Sequence, residues 1–284
     1  NDPCWCGSGR KYKQCHEAFD EKIKHFELQG HMVPERCMIK NPEQLAGIRE
    51  SGLVNIAVLD YVAENIREGM TTEEIDRLVE SKTRQLGGIP APLGYEGYPK
   101  SVCTSVNHEV CHGIPSEAVV LKSGDIVNVD VSTIYKGYYS DSSRMFRIGR
   151  VDEEKSRLVR VAKECMEKGI AAVKPWTFLG DMSDAVNAHA RENGCSIVID
   201  MGGHGVGLEF HEDPFVSYVA PKGTEMLMVA GMVFTIEPMV NLGKPDIYLD
   251  DENGWTIYTE DGKPSAQWEV TVAVTEDGCE ILAY

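Results

Sequence analysis

The chain has 284 residues and a formal net charge of −17 at pH 7, with 45 acidic and 28 basic side chains. This length allows a substantial core in one large domain, or in one domain with a small appendage. Because phosphate binding needs clustered Lys and Arg, the acidic balance excludes a nucleic-acid surface spread over the body, and no direct sequence-specific nucleic-acid contact is expected.

The sequence also bears on the compartment. No run of about 18 apolar residues is present, and the polar beginning NDPCWCGSGRKYK lacks the apolar core of a secretory signal. Nine cysteines lie at positions 4, 6, 15, 37, 103, 111, 165, 195 and 279. This odd, scattered set indicates a reducing compartment rather than a disulfide framework. We therefore expect a soluble, cytoplasmic protein with no membrane partner.

A cluster of metal-ligating residue types stands at the amino terminus. Cys4, Cys6, Cys15 and His16 give the pattern C-x-C-x8-C-H, which supplies four ligands for a tetrahedral zinc site. Glycines and a serine at 7–9 allow a tight turn between the two halves. So short a segment buries too little apolar surface to fold alone, so the metal would supply folding free energy. The alternative is a flexible arm with reduced, unlinked cysteines.

The sequence CWCGSGRKYKQCH at 4–16 resembles the SEC-C zinc motif, which occurs at the carboxyl end of the SecA translocation ATPase and is also found attached to other proteins. The resemblance implies one structural zinc and docking to the protein-synthesis and export machinery. Trp5 and Tyr12 are either docking side chains or packing residues, and packing is favoured. We expect residues 1–30 to form this module and residues 31–40 to be a connector.

Helical patterns occur in two pairs separated by strand-rich segments. The predicted helices run from Asn41 towards a stop at Gly69, from Thr71 to near Gly87, from Glu153 to Val173 and from Leu179 to Glu192. The repeated order of helix, helix and strands suggests a duplicated architecture with a site between the halves. Because the strands follow one another in hairpins, we predict an α+β fold with a mixed, largely antiparallel sheet covered by helices.

The segment 125–146 alternates valines with polar residues, which predicts a strand with one apolar and one polar face. A two-residue turn at 136–137 would place Ser132 opposite Asp141, with Asp130 diagonal to Asp141 on the same face. Two buried carboxylates this close would need a cation to compensate their charge. The alternative is one exposed aspartate in each strand of an ordinary hairpin.

Three further side chains interrupt glycine-rich or apolar segments. His204 lies in the run GGHGVG, whose glycines let the backbone approach a ligand, although a lone histidine is usually a structural hydrogen-bonding residue. A dinucleotide site is disfavoured because no helix begins here. The strand pattern 232–238 carries Glu237 at its end, and the strand pattern 267–274 carries Glu269.

The charges of these candidate ligands suggest how many metal ions the site would hold. Asp130, Asp141, Glu237 and Glu269 contribute four negative charges, which two divalent cations would neutralise. Carboxylates with one imidazole, here His204, suit ions such as Mn, Fe or Co. A dinuclear site of this kind can generate hydroxide at neutral pH and polarise a carbonyl, which is hydrolytic chemistry.

The motifs NVDV, SDSSRMF, GGHGVGLEFHEDP, TIEPMV and AQWEVTV, together with GYEGYPKSVCTSVNHEVCHGIP at 94–115, resemble the type I methionine aminopeptidases. The resemblance runs from about residue 38 to the end, with every motif in order. It implies the pseudo-twofold pita-bread fold, with residues 41–284 as the catalytic domain. It also implies two divalent ions, for which Mn, Fe, Co and Zn are candidates.

The resemblance assigns a role to each ligand. Asp130 would bind one metal in bidentate fashion, Asp141 and Glu269 would bridge, and His204 and Glu237 would complete the other site. In that family, an activated hydroxide attacks the carbonyl of the initiator methionine of nascent polypeptides whose second residue is small.

The resemblance also places residues around the substrate. Glu237 would handle protons, while His112 and His211 would contact the scissile peptide and stabilise the tetrahedral intermediate. The substrate-binding residues would be Tyr95, Tyr98, Cys103, His112, Phe210, His211 and Trp255. A thioether is flexible and polarizable, so it suits such aromatic and sulfur neighbours.

The sequence departs from the methionine aminopeptidase pattern at two positions, and two alternative functions are open. Pro92 stands where Cys is frequent and Val270 stands where His is frequent, which leaves the pocket's selectivity open. The closest alternative is a prolidase or X-Pro aminopeptidase of the same fold, although CHGIP at 111–115 and the pocket residues favour methionine. A binding protein without catalysis is the other, but all five ligands are present.

The zinc module suggests a location for the enzyme. Arg10, Lys11 and Lys13 form a small basic patch that would dock to the ribosome or its associated factors, where nascent chains emerge. The alternative is a stabilising amino-terminal clip. We expect a monomer, although the sequence does not identify the docking partner.

Overall fold

A computed structural model describes residues 2–284. Helices and single turns of 3-10 helix alternate with strand-rich segments. The helices are α1 (Glu17–Leu28), α2 (Pro42–Asn65), α3 (Thr72–Gln85), α4 (Glu153–Ala172) and α5 (Leu179–Glu192), and the 3-10 turns are Tyr12–Gln14, Arg36–Met38 and Tyr95–Gly97. Among the described residues, no helix has both the length and the apolar character required to span a bilayer.

Within residues 2–284, the strands form four antiparallel sheets. Their bounds are β1 (Ile89–Pro90), β2 (Cys103–Val106), β3 (Glu109–Cys111), β4 (Ile126–Tyr135), β5 (Tyr138–Arg147), β6 (Ser196–Ile197), β7 (Gly203–Gly205), β8 (Glu212–Val216), β9 (Val233–Ile236), β10 (Met239–Asn241), β11 (Ile247–Leu249), β12 (Ile257–Thr259), β13 (Ser265–Gln267), β14 (Val270–Val274) and β15 (Cys279–Ala283). In the first half, β4 pairs with β1, β2 and β5, and in the second half the order is β15-β14-β9-β7-β8. The predicted α+β architecture and the repeated helix, helix, strand order are confirmed.

The predicted helix starts are confirmed by their caps. The Asn41 side chain accepts a hydrogen bond from the Gln44 N–H at 2.9 Å, and the Thr71 hydroxyl accepts one from the Glu74 N–H at 3.1 Å. Both starts are capping boxes, which satisfy N–H groups that a helix leaves unpaired. Helix α2 ends at Asn65 and not near Gly69, because Ile66 already has an extended backbone with ψ of 131°.

The central hairpin has the predicted register. Lys136 and Gly137 form the turn with φ of 51° and 84°, and this left-handed conformation suits a two-residue hairpin connection. Ser132 then pairs with Asp141, and Asp130 pairs with Ser143. Asp130 and Asp141 therefore lie diagonally on one face of the β4–β5 hairpin, as predicted.

The strand predicted over 267–274 is interrupted, and this prediction was wrong in detail. Strand β13 ends at Gln267 and β14 begins at Val270. Between them, Glu269 forms an isolated bridge to Ser143, with backbone N–H to O distances of 3.2 and 3.3 Å in the two directions. The backbone leaves one sheet for another at this point, and the bridge joins the two halves of the molecule.

Helices cover the outer, apolar face of each half. Helices α2 and α3 pack on the valines of β4, and α4 and α5 pack on strands of the second half. Polar anchors reinforce the first contact: the Ser51 hydroxyl donates to the Thr133 carbonyl at 3.0 Å, and the Asn55 amide donates to the Val131 carbonyl. The polar faces of the strands are thereby left facing inwards, towards each other.

The amino-terminal segment packs against this body. The amphipathic run that the sequence places before the connector forms α1, whose Phe19 lies 5.3 Å from the Trp176 ring between centroids. Trp5 is partly buried and packs against the core, as favoured above: its indole N–H donates to Asp20 at 3.2 Å, and the Arg36 guanidinium lies 3.8 Å from its ring centroid.

Candidate active site

One cavity of about 360 Å³ opens between the two halves. All twelve residues predicted for metal binding, catalysis or substrate contact line it. They are Tyr95, Tyr98, Cys103, His112, Asp130, Asp141, His204, Phe210, His211, Glu237, Trp255 and Glu269. Pro92 also lines the cavity, whereas Val270 is buried in the core away from it.

The acidic centre of this cavity is built from both halves. The hairpin supplies Asp130 and Asp141, β7 supplies His204, and Glu237 and Glu269 follow or precede strands of the second half. Ligand atoms of Asp141, His204 and Glu269 all lie within 4.8 Å of one another. This separation allows one cation to contact them together.

Histidine 204 is oriented towards the carboxylates. Its Nδ1 is hydrogen-bonded to the Gly205 carbonyl at 2.8 Å, which leaves Nε2 for a ligand. That Nε2 lies 3.6 Å from Asp141 Oδ2 and 3.6 Å from Glu237 Oε1. The imidazole nitrogen therefore faces two acceptors across the space that an ion would fill.

Two buried carboxylate oxygens support a metal at this centre. Within residues 2–284, neither Asp130 Oδ1 nor Glu269 Oε2 has a hydrogen-bond partner. A buried, unpaired acceptor is costly, and a carboxylate oxygen is a ligand for divalent ions. The donor set present here therefore fits divalent metal.

The pKa shifts of the acidic centre also support a bound cation. Burial, followed by the charge of Asp141, raises the pKa of Asp130 and that of Glu269 well above their ordinary values. Burial also raises the pKa of Glu237, to about 7. Burial alone would lower the pKa of His204, but the nearby carboxylates of Asp141 and Glu237 outweigh it and raise the pKa to about 9. Without a cation, the cluster holds protons instead.

Two other histidines stand beside the acidic centre. The His211 ring lies 4.3 Å from the His204 ring between centroids, and its Nδ1 is 3.0 Å from the Tyr95 hydroxyl. Burial lowers the pKa of His211 to about 4, and burial also lowers the pKa of His112. Both imidazoles are therefore neutral at pH 7.

Aromatic and sulfur side chains form the remaining wall. Tyr98 is buried, and its hydroxyl donates to the carbonyls of Val102 at 3.0 Å and Gly113 at 3.1 Å, which fixes the ring. Trp255 meets Tyr98 edge to face at 5.1 Å. Burial raises the pKa of the Cys103 thiol well above its ordinary value, so the thiol stays neutral. The wall suits an apolar, polarizable side chain.

Three polar side chains hydrogen-bond to these carboxylates, a role that the sequence patterns did not assign to them. The Thr235 hydroxyl donates to Glu237 Oε1 at 2.7 Å, the Gln267 amide donates to Glu237 Oε2 at 2.9 Å, and the Ser132 hydroxyl donates to Asp141 Oδ1 at 2.8 Å. Thr235 lies two residues before Glu237. A polar residue two positions from a ligand, on the same strand face, was the signal that could have found it.

The amino-terminal cluster forms a second group of ligands, remote from the cavity. Cys4, Cys6, Cys15 and His16 lie together, with Sγ of Cys4 and Cys15 at 3.1 and 3.2 Å from His16 Nδ1. Sγ of Cys6 is 3.6 Å from Sγ of Cys15. Zinc bond lengths give ligand separations of about 3.5–3.8 Å in a tetrahedron, so these four ligands, a few tenths of an ångström closer, need only a small outward shift to hold one zinc ion.

Comparison with family models gives two matches. The model for metallopeptidase family M24 matches residues 46–276, and the model for the SEC-C motif matches residues 1–18. A methionine aminopeptidase of Chlamydia pneumoniae is 44% identical and covers 99% of the chain and 97% of its own length. Methionine aminopeptidase A of Synechocystis is 46% identical and covers 84% of the chain and 94% of its own length.

Solved structures show the same likeness. The crystal structure of methionine aminopeptidase from Rickettsia prowazekii has a TM-score of 0.85 and 40% identity, covering 89% of the chain and all of its own chain. A prolidase of Pyrococcus horikoshii has a TM-score of 0.70 at 22% identity, covering 87% of the chain and 63% of its own. The prolidase shares the fold alone, and the pita-bread architecture is confirmed.

The protonation of the acidic centre leads to a calorimetric prediction. In the metal-free protein His204 holds a proton at pH 7, because its pKa is raised to about 9, and the raised pKa values of Asp130 and Glu269 favour protons on these carboxylates too. Metal ligands must be deprotonated, so binding of Mn²⁺ to metal-free protein should release at least one proton per molecule. Titration calorimetry in two buffers of different ionisation enthalpy measures this number, and heats that do not depend on the buffer would contradict it.

Proposed function

The chain belongs to metallopeptidase family M24 and, within it, to the methionine aminopeptidases, and we propose from this that it removes the amino-terminal methionine of nascent polypeptides. One observation carries the proposal: the five predicted ligands and the methionine-pocket residues line a single cavity. The second residue of the substrate would be small.

We assign two divalent metal ions to Asp130, Asp141, His204, Glu237 and Glu269. Four carboxylates balance the charge of two such ions, and Mn, Fe, Co and Zn all suit oxygen ligands with one imidazole. When bound, ions of this kind lower the pKa of water and polarise a carbonyl group. The unpaired oxygens of Asp130 and Glu269 support this assignment.

The side chains around the metals would then move protons and stabilise charge. Glu237, whose carboxylate faces His204 in the acidic centre, would accept a proton from the attacking water and pass it to the leaving amine. His112 and His211 are neutral at pH 7, so each retains one ring N–H that can donate to the scissile peptide and its tetrahedral intermediate. Their place beside the acidic centre supports these roles.

The pocket proposed for the methionine side chain is lined by Tyr95, Tyr98, Cys103, Phe210 and Trp255. The ring of Phe210 packs edge to face on Tyr95 at 4.8 Å. Such a wall suits the flexible, polarizable thioether of methionine. The prolidase alternative is therefore disfavoured.

Peptide hydrolysis tests the proposed activity. The metal-loaded enzyme should release the first residue of Met-Ala-Ser at least 100-fold faster, in kcat/KM, than that of Ala-Pro-Ala. Chelation should abolish the activity and Mn or Co should restore it. Glu237→Gln should lower kcat by about 100-fold or more, because general acid–base catalysis contributes on that scale.

The exposed Glu276→Gln serves as a control that keeps wild-type kcat. A preference for Ala-Pro-Ala, or no turnover of Met peptides with any metal, would refute the proposal.

We further propose that residues 1–30 form a zinc module, residues 31–40 a connector and residues 41–284 the catalytic domain. Cys4, Cys6, Cys15 and His16 would hold one structural zinc. The separations between their ligand atoms support this assignment.

The module would dock the enzyme at the ribosome or an associated factor. Trp5 and Phe19 face the body, whereas Arg10, Lys11 and Lys13 are exposed and form a basic edge that suits a phosphate-rich surface. Nine free cysteines support action in the reducing cytoplasm, and we propose that the enzyme acts there as a monomer.

Co-sedimentation with ribosomes tests the docking proposal. The triple variant Arg10→Glu, Lys11→Glu, Lys13→Glu and the chain lacking residues 1–30 should each lose at least tenfold in ribosome affinity at low salt, because the basic edge is reversed or absent. Both should keep the activity of the full chain on Met-Ala-Ser.

A matched charge change elsewhere gives the control. Lys122→Glu, Lys168→Glu, Lys222→Glu alters the net charge equally at exposed positions of the body. This variant should bind ribosomes like the wild-type chain. Equal binding by the full chain and by the chain lacking residues 1–30 would refute docking and leave the module as a stabilising clip.

A further inference from the structure

A buried ion pair outside the reaction centre links the connector to the cavity. Lys40 is only 4% exposed, and its ammonium contacts the carboxylate of Glu212 and the Cys37 carbonyl, the latter at 3.4 Å. Its backbone N–H donates to the Gly231 carbonyl at 2.8 Å, which fixes the lysine against the segment that enters β9.

The other oxygen of Glu212 holds a loop. Its Oε1 accepts hydrogen bonds from the backbone N–H groups of Leu208 at 2.6 Å and Glu209 at 2.9 Å, while Oε2 meets Lys40. A carboxylate bonded to two N–H groups and an ammonium is a strong, charge-assisted anchor. Glu212 thus connects the end of the connector to the loop 207–211.

This loop carries two residues of the proposed site. His211 reaches the Tyr95 hydroxyl and the His204 ring, and Phe210 packs on Tyr95. On its other side, the loop is held where the Gly207 carbonyl accepts the Tyr139 N–H at 2.9 Å. Between these ends, Glu209 is exposed, whereas Phe210 is buried. Glu212 is one of the anchors that hold this loop, and with it His211, in place.

We propose that Lys40 and Glu212 are positioning residues for the hydrolytic step, which hold Phe210 and His211 at the substrate without touching it. The proposal rests on the aminopeptidase function proposed above. A side chain held within a fraction of an ångström can stabilise a transition state, whereas a loosely held one binds substrate but loses rate. The pair therefore acts on kcat more than on KM.

A purely structural role has a different signature. Removal of one partner from a buried pair leaves an unpaired charge and destabilises the fold, while replacement of both partners by neutral groups relieves that penalty. Glu212→Gln retains an acceptor oxygen for the loop but no longer pairs with the ammonium. The double variant Lys40→Met, Glu212→Gln therefore separates stability from positioning.

The experiment measures Tm, kcat and KM for both single variants and the double variant, on metal-loaded full-length protein at a temperature at which all are folded. Each single variant should lower Tm and reduce kcat on Met-Ala-Ser at least tenfold, with KM changed less than threefold. The double variant should regain most of the lost Tm while its kcat stays at least tenfold low. Lys136→Met, which breaks the exposed pair with Glu50, should leave kcat unchanged.

Two results would overturn the proposal: wild-type kcat in the single variants, or a kcat in the double variant that recovers together with Tm. Amide hydrogen exchange gives a readout that does not depend on activity. Exchange of Leu208 and Glu209 should be at least tenfold faster in all three variants, with the β4–β5 hairpin unchanged, and wild-type protection would refute the anchor. If the wild-type chain cleaved no Met peptide, the proposed function would fail while the exchange result still tested the anchor.

Discussion

Four carboxylates and one imidazole are buried where the two halves of the molecule meet, and the rest of the structure depends on how their charges are balanced. Buried like charges repel strongly, because water no longer screens them. Burial and mutual repulsion raise the pKa values of Asp130 and Glu269, and both keep an oxygen without a partner among the described residues. Divalent cations bound here would relieve this repulsion and would supply hydrolytic chemistry at the same place.

The fold brings these charges together because the strands of each half have one polar and one apolar face. Helices cover the apolar faces, so the polar faces meet inside. The backbone bridge between Ser143 and Glu269 ties the halves together directly at the centre. Thr271 adds to it, since its hydroxyl donates to the Asp141 carbonyl at 2.7 Å. Hydrogen bonds between the halves thus fix the backbone positions of Asp141 and Glu269.

Much of this arrangement could be predicted from local patterns. The alternation around Asp130 and the Lys136-Gly137 turn determine the hairpin register, because both depend on neighbouring residues. The interruption before Val270 could not be predicted in this way. Residues 267–274 alternate like one strand, and the bridge of Glu269 to Ser143 joins positions far apart in sequence.

The supporting residues were also beyond the sequence analysis. Thr235 and Gln267 are ordinary strand residues until the fold brings them to Glu237. Lys40 resembles any surface lysine in the sequence, and its burial against Glu212 follows from the packing of the connector on the second half. The candidate ligands are recognisable in the sequence because they interrupt apolar runs. Of the supporting residues, Thr235 has a local signal in its spacing from Glu237, whereas Gln267 and Lys40 are identified by tertiary contacts alone.

The most direct test of the account is an anomalous difference map from crystals of the Mn-loaded protein, measured near the manganese absorption edge. The account predicts two peaks in the cavity, one bound by Asp130, Asp141 and Glu269 and the other by Asp141, His204, Glu237 and Glu269. Peaks outside this set of side chains, or a metal-loaded cavity in which Asp130 or His204 contacts no ion, would contradict it.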